Sequence, residues 1–339
     1  MTCTIKNLMR AAVACAGLLL SPWASALQVP GPVVDGEWLA KNRAEVTLLD
    51  VRPNQKSFVA TPQFEVDKKT GKKFLVELGG HIADAVPVDN KKVRVERVIN
   101  GLKLSGMIPE RADFEALVRS WGAQAGRPIV LVSAGMEPID FNDAARLYWQ
   151  FKVYGEDNIA VLNGGSAGWI AEGREVSSAS AKVVEGNWRA QADRSAELLA
   201  TSEDVARAIS AQPQLQTQAQ TQLIDARDNA TFLGLSKPGS VSAYGHLPGA
   251  KNVPTTLMSS QGGEAARLMS SATYRDVFKM SGADPSAATI AYCNTGHQAS
   301  GTWFILSEVL GNKQTKLYDG SMHQWALEKR VMESVAGSK

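Results

Sequence analysis

From residue 33 onward, short apolar runs alternate with stretches whose apolar positions recur at helical spacing. In the first half, Val46 to Leu49, Ile129 to Val132 and Ile159 to Leu162 are too short for helices, and their near-continuous apolar character fits strands buried on both faces. Between them lie a helix-like Gly36 to Ala40, an amphipathic Asp113 to Val118 and a longer helical run at about Asp143 to Val153. Such strands separated by helices predict parallel βαβ units, a sheet with helices on both faces. The second half repeats the order. It opens with Thr201-Ser202-Glu203-Asp204, an N-cap and acidic first turn, and later carries apolar Ala287 to Tyr292 followed by helical Thr302 to Leu306. Val66 to Phe74 reads as a hairpin with a charged tip, whose lysines are a solvated turn rather than a site for an anionic partner. Gln212 to Gln222 reads as a low-complexity Gln/Thr loop.

An internal repeat underlies this pattern. Leu48-Leu49-Asp50-Val51-Arg52 recurs as Leu223-Ile224-Asp225-Ala226-Arg227, at an offset of 175. Gly80-His81-Ile82-Ala83-Asp84-Ala85 recurs as Gly245-His246-Leu247-Pro248-Gly249-Ala250, at 165. Asn163-Gly164-Gly165 with Trp169 recurs as Asp319-Gly320-Ser321 with Trp325, at 156. Order is kept while the offset shrinks, so the halves are homologous units with loops of different length. The polar, small-residue stretch Arg174 to Ala200 holds the boundary, giving domains at 27–175 and 201–339 joined by a linker at 176–200.

Residues 1–26 are expected to be a cleaved export signal: Lys6 and Arg10, then apolar Ala11 to Leu20, then Ala24-Ser25-Ala26. That apolar run is shorter than the roughly 20 residues a bilayer span needs, so a soluble periplasmic protein without a membrane anchor is expected. At 44% apolar and 21% charged residues, the chain has the composition of a folded globular protein. Removing the signal takes the formal charge from +2 to zero, which argues against nucleic acid or an anionic membrane as partner. It also removes Cys3 and Cys15 and leaves Cys293 as the sole thiol, so no intramolecular disulfide is expected.

Cys293 lies where a buried strand ends and a short loop, Asn294-Thr295-Gly296-His297-Gln298-Ala299, leads into a helix. In open α/β sheets ligands bind at the carboxyl ends of strands. A short loop relaxed by Gly296 can turn successive N–H groups inward, backed by the positive end of the next helix, and so favour an anionic, nucleophilic sulfur. Asn294, Thr295, Gly296, His297, Gln298 and Ala299 are therefore the candidate substrate-binding residues around a catalytic Cys293. His297 reads as a group on the pocket rim that binds the donor or tunes the thiolate, or else as an exposed loop residue.

These stretches resemble a tandem-domain rhodanese, a sulfurtransferase, over nearly all of residues 33 to 330: Asp225-x-Arg227, Gly245 to Ala250, the Cys293 loop, and Asp319-Gly320-Ser321 with Trp325. The resemblance implies two five-stranded parallel sheets flanked by helices. It also implies that Cys293 takes a sulfane sulfur from a donor such as thiosulfate, holds it as a persulfide and passes it to cyanide or a thiol, with no cofactor. Ser133 falls where the first copy would carry the cysteine, which implies an inactive copy kept for packing. Two departures stand out. Asn294 and Thr295 are neutral where thiosulfate-using members often carry basic residues, and Thr231 stands where they tend to have an arginine. A dianionic donor is then left to backbone N–H groups, to Lys237 if its loop reaches the site, or to protonated His297.

Other readings are weaker. A Cys-dependent phosphatase needs an arginine six positions after the cysteine, and position 299 is alanine. A Cys293–His297 metal site lacks further Cys or His ligands nearby. His81 and His246 fit structural hydrogen bonds in matching turns, Asp225 and Arg227 a buried pair, and Trp303 the core. A non-enzymatic sulfur carrier serving a protein acceptor uses the same cysteine chemistry and stays open.

Overall fold

The computed structural model describes residues 27–211, 221–260 and 263–335. The expected export signal and residues 212–220 of the Gln-rich stretch lie outside the described residues. Gln222 corrects the loop reading: it starts a strand, and its buried side chain donates to the Asp284 carbonyl and the Thr289 hydroxyl.

Two parallel five-stranded sheets share one topology. In space the first runs Val33–Val34, Ile159–Leu162, Ile129–Val132, Thr47–Asp50, Val86–Pro87, with every neighbour parallel. The second runs Leu199–Ala200, Thr315–Tyr318, Thr289–Tyr292, Gln222–Asp225, Lys251–Asn252, again all parallel. Alternate residues of each strand serve opposite faces, as the pleat requires. Leu49, Leu131 and Val161 pack with Phe114 and Phe151 on one side, whereas Leu48, Val130 and Ala160 pack with Leu39 and Trp169 on the other. Two antiparallel hairpins extend the first domain. One is the charged-tip hairpin, Gln63–Val66 with Lys73–Glu77; the other, Val95–Ile99 with Leu102–Met107, carries no strong apolar alternation. Among the described residues no helix is long and apolar enough to cross a membrane.

The two sheets do not have separate cores. One apolar cluster runs from Leu49 and Leu131 of the first domain through to Ile224, Ala291 and Cys293 of the second. Its centre is the contact of helix Phe141–Val153 with helix His297–Phe304. Phe304 meets Phe141 and Tyr148 edge-on, at ring centroid distances of 5.2 and 4.8 Å, an arrangement favoured by the ring quadrupoles. The Tyr148 hydroxyl donates to Glu308 at 3.0 Å. Trp303 is core, as its sequence position implies, with its indole N–H on the Thr315 carbonyl.

The segment joining the sheets is fastened rather than loose. The Gly186 amide bonds to the Arg119 carbonyl, and those of Asn187 and Trp188 to that of Ala123. Further along, Gln191 bonds to Tyr154 and Arg194 to Val153. Trp188 is buried edge-on against Phe114 and Phe151. Strand Leu199–Ala200, inside the stretch read as linker, already belongs to the second sheet.

The repeated turns are built alike. Arg52 binds Asp50, and Arg227 binds Asp225 through Nε and Nη2, all four side chains buried. His81 stacks on Phe58 and hydrogen-bonds its carbonyl through Nδ1, and His246 does the same with Phe232. A buried carboxylate stripped of its partner is costly, so Arg227→Leu should lower unfolding stability by about 3–5 kcal/mol, read from urea denaturation. The double variant Asp225→Leu/Arg227→Leu should recover a large part of that loss.

Candidate active site

Strand Thr289–Tyr292 delivers Cys293 into the core, where it is buried to 1% exposure. The chain then turns through Asn294 and Thr295 to Gly296, which has φ of 76° and caps helix His297–Phe304. A Cβ at Gly296 would lie 2.6 Å from Asp319 Oδ1, so position and backbone both demand glycine. The start of helix Ser321–Leu327 clamps this loop. Ser321 Oγ accepts the amides of Cys293 and Gly296, each at 3.1 Å, and donates to the Tyr318 carbonyl at 2.7 Å. Met322 and His323 amides donate to the carbonyls of Cys293 and Asn294. Ser321 has φ of 49°, a left-handed conformation costly for a residue with a Cβ and held here by these bonds.

Within this stretch the Cys293 and Gly296 amides are taken by Ser321, whereas those of Asn294, Thr295, His297, Gln298 and Ala299 have no acceptor among the described residues. The following helix begins with backbone N–H groups that glycine has no side chain to cap.

Above the loop lies a cavity of about 490 Å³ between the domains, walled by Asn90, Lys91, Arg94, Asp143 and Arg146 of the first and by Ser240, Thr295 and His297 of the second. Buried Arg146 donates to Asp319 Oδ1 at 2.6 Å and to the carbonyls of Gly296 and Gly106. Asp319 Oδ2 accepts the Ile108 amide at 2.8 Å, so this carboxylate is held wholly by the first domain. Arg94 Nη2 donates to the Thr295 hydroxyl at 2.7 Å and to its carbonyl at 3.0 Å. Burial, then the neighbouring Arg146, pulls the Arg94 guanidinium below its ordinary value, against the upward pull of Cys293, Asp319 and Asp143. His297 Nε2 lies 3.1 Å from Asp143 Oδ1, and Asn90 donates to the same oxygen at 2.9 Å.

The candidate residues therefore divide. Thr295 and His297 line the cavity, and Gly296 shapes the turn. Asn294 has a buried side-chain oxygen without a partner among the described residues, and Gln298 is half-buried. Ala299 is fully buried in the shared core, which corrects its assignment to substrate binding: its side chain faces apolar neighbours, not the cavity. Lys237 does not line the cavity either, although Ser240 of its loop does; its ammonium donates to the Val241 carbonyl. Thr231 is engaged with Asp228. Sequence reasoning missed Lys91, Arg94, Asp143 and Arg146, because they come from the half that had been read as packing alone. The charged run Asp89-Asn90-Lys91-Lys92-Val93-Arg94 is the signal for Lys91 and Arg94, whereas Asp143 and Arg146 lie within a helix whose pattern reads as packing.

Ser133 occupies the matching place in the first domain. The amides of Ser166 and Ala167 donate to the carbonyls of Ser133 and Ala134, as Met322 and His323 do around Cys293. There a 3₁₀ turn, Pro138–Asp140, separates the loop from its helix, and the second domain covers the loop. The Ala266 amide donates to the Gly135 carbonyl, and Arg267 reaches the carbonyls of Asn163 and Gly168.

A profile of the family described as Rhodanese-like domain matches residues 35–172 and again 207–328. A protein of Saccharopolyspora erythraea named "Putative thiosulfate sulfurtransferase" is 30% identical over 253 residues, covering 73% of this chain and 82% of that one. The thiosulfate sulfurtransferase of Corynebacterium glutamicum is 30% identical over 196 residues, 54% of this chain and 59% of that one. Among solved structures, the 3-mercaptopyruvate sulfotransferase SseA from Escherichia coli aligns at TM-score 0.65 and 23% identity, over 86% of this chain and 98% of that one, a likeness of fold.

Ser321→Ala would leave the Cys293 and Gly296 amides buried without an acceptor. Urea denaturation should report a loss of about 1–3 kcal/mol. Alkylation of Cys293 by iodoacetamide should speed up several-fold as the loop loosens.

Proposed function

We propose that this chain, which belongs to the rhodanese family and is a sulfurtransferase, moves a sulfane sulfur through a persulfide on Cys293. With thiosulfate as donor, the Cys293 thiolate attacks the outer sulfur. A new S–S bond forms on Sγ, the S–S bond of thiosulfate breaks, and sulfite leaves with the electron pair. The acceptor, cyanide or a thiolate, then attacks the terminal sulfur and returns Cys293 as thiolate. Cyanide leaves as thiocyanate, and charge balances in both steps. The observation that carries this reading is the placement of the sole cysteine among the described residues: at a strand end, in a clamped loop, beneath a cavity lined with cations.

The chain's own residues supply what the reaction needs. The amides of Asn294 and Thr295 and the start of helix His297–Phe304 stabilise the terminal sulfur anion of the persulfide. Burial of Cys293 keeps bulk water and stray oxidants from that sulfur. The cavity of about 490 Å³ between the domains has room for small donors and acceptors. The amino-terminal segment supports work in the periplasm after export. A mature protein recovered from that compartment should begin near residue 27 by N-terminal sequencing.

Cyanolysis with thiosulfate tests the reading. Cys293→Ser should lose at least a thousandfold of the thiocyanate-forming rate; activity surviving the change would end the proposal. Multiple turnovers with dithiothreitol as acceptor are expected, whereas a stall after one sulfur would favour the dedicated carrier. Ser133→Cys should gain no second persulfide in intact-protein mass spectra, because the Ser133 loop is covered by the segment bearing Ala266 and Arg267.

A further inference from the structure

Two cations on the cavity wall are not matched within the fold. Arg146 has its guanidinium on Asp319 and on the carbonyls of Gly296 and Gly106. Arg94 differs. Its Nη2 holds Thr295 and its Nε reaches the Gly106 carbonyl, but its Nη1 makes no hydrogen bond, and no carboxylate pairs with it, among the described residues. Lys91, on the same wall, is exposed and likewise without a carboxylate partner among the described residues. The one carboxylate lining this cavity, Asp143, is engaged by Asn90 and His297. The Cys293 loop itself contributes no lysine or arginine, and Lys237 of the second domain is turned to Val241.

We infer that Lys91 and Arg94 bind the anionic group of the sulfur donor, so that the copy without a cysteine selects the substrate of the copy that has one. The inference rests on the sulfurtransferase reading above and adds which side chains of this chain meet the charge of its donor. Arg94 suits the task because a guanidinium presents a planar fork of donors. One edge fixes Thr295, two residues past the nucleophile, and the remaining Nη1 meets the donor, so a single side chain registers the sulfur donor against the loop that attacks it. Lys91 adds a point charge on the open side. A cavity of about 490 Å³ exceeds what a sulfonate group fills, which leaves space for a donor with an organic chain.

The test separates charge recognition from loop integrity. Loading of Cys293 is followed in single turnovers by intact-protein mass spectrometry, with thiosulfate and with cysteine persulfide as anionic donors. Methyl methanethiosulfonate, an uncharged sulfonyl compound that methylthiolates the same sulfur with loss of methanesulfinate, is the control. Arg94→Gln should slow loading by both anionic donors about ten- to a hundredfold, the range expected for losing a hydrogen bond to a charged group. Lys91→Ala, which touches nothing in the loop, should slow it about three- to tenfold, and Arg94→Lys should recover part of the loss. All three variants should react with the uncharged control within about threefold of the parent. Anionic loading within threefold of the parent in both Arg94→Gln and Lys91→Ala would overturn the inference, as would an equal loss with the uncharged control. A parent protein that takes no sulfur on Cys293 from either anionic donor would instead sink the sulfurtransferase reading.

Discussion

The buried ion pair between Arg146 and Asp319 is the constraint on which the site depends. Both groups are almost fully removed from water, which is tolerable because further hydrogen bonds support each: the Ile108 amide on Asp319, and the Gly296 and Gly106 carbonyls on the two terminal nitrogens of Arg146. Arg146 stands on the long helix of the first domain, and Asp319 immediately precedes the turn whose serine clamps the Cys293 loop. A hydrophobic contact between the domains could slide, since apolar burial has no direction. This pair admits one register. It fixes the Gly296 carbonyl to the first domain and, through Gly320 and Ser321, fixes the amides on either side of Asn294 and Thr295.

The two copies answer each other with unequal chemistry. Ile108 of the first domain donates its amide to Asp319, and Leu268 of the second donates its amide to Asn163, the matching residue in the repeat. Where the second copy has a carboxylate, the first has a neutral amide, and the nearby cation follows suit. Arg267 rests on carbonyls and on Glu172, filling the space over the Ser133 loop, whereas Arg146 locks onto Asp319 and leaves the space over Cys293 open. Carboxylate against carboxamide is thus one difference between the two loops, beside the Pro138–Asp140 turn and the segment bearing Ala266 and Arg267 that covers Ser133.

How far the sequence could be read follows from the range of each signal. Strands such as Ile129–Val132 and Ile159–Leu162 declare themselves through a run of apolar side chains, a local property. The repeat located Ser133, the Asp–Arg pairs and the His–Phe turns because equivalent residues keep equivalent partners in each copy. Cys293 stood out because a lone thiol in a polar turn is hard to explain by packing. Arg94 and Thr295 are 201 positions apart, and no periodicity links them. Ala299 was misjudged for a related reason: it follows the loop in sequence, but one helical turn is enough to swing its methyl group into the apolar seam. The central strands were legible, whereas the two-residue strand Leu199–Ala200 and the hairpin Val95–Ile99 with Leu102–Met107 were not, and the walls of the cleft were legible only in the half that carries the sulfur.

The fastened connection between the sheets has a mechanical consequence. Between the last amide bond that ties Arg194 to the first domain and the strand Leu199–Ala200 there is only the short helical turn Ser195–Leu198. Tethers that permit domains to rock apart need slack, and this one has almost none. With a common core on one side and a taut strap on the other, the halves could rock apart only by breaking buried contacts, so widening the mouth of the cleft carries a cost in packing.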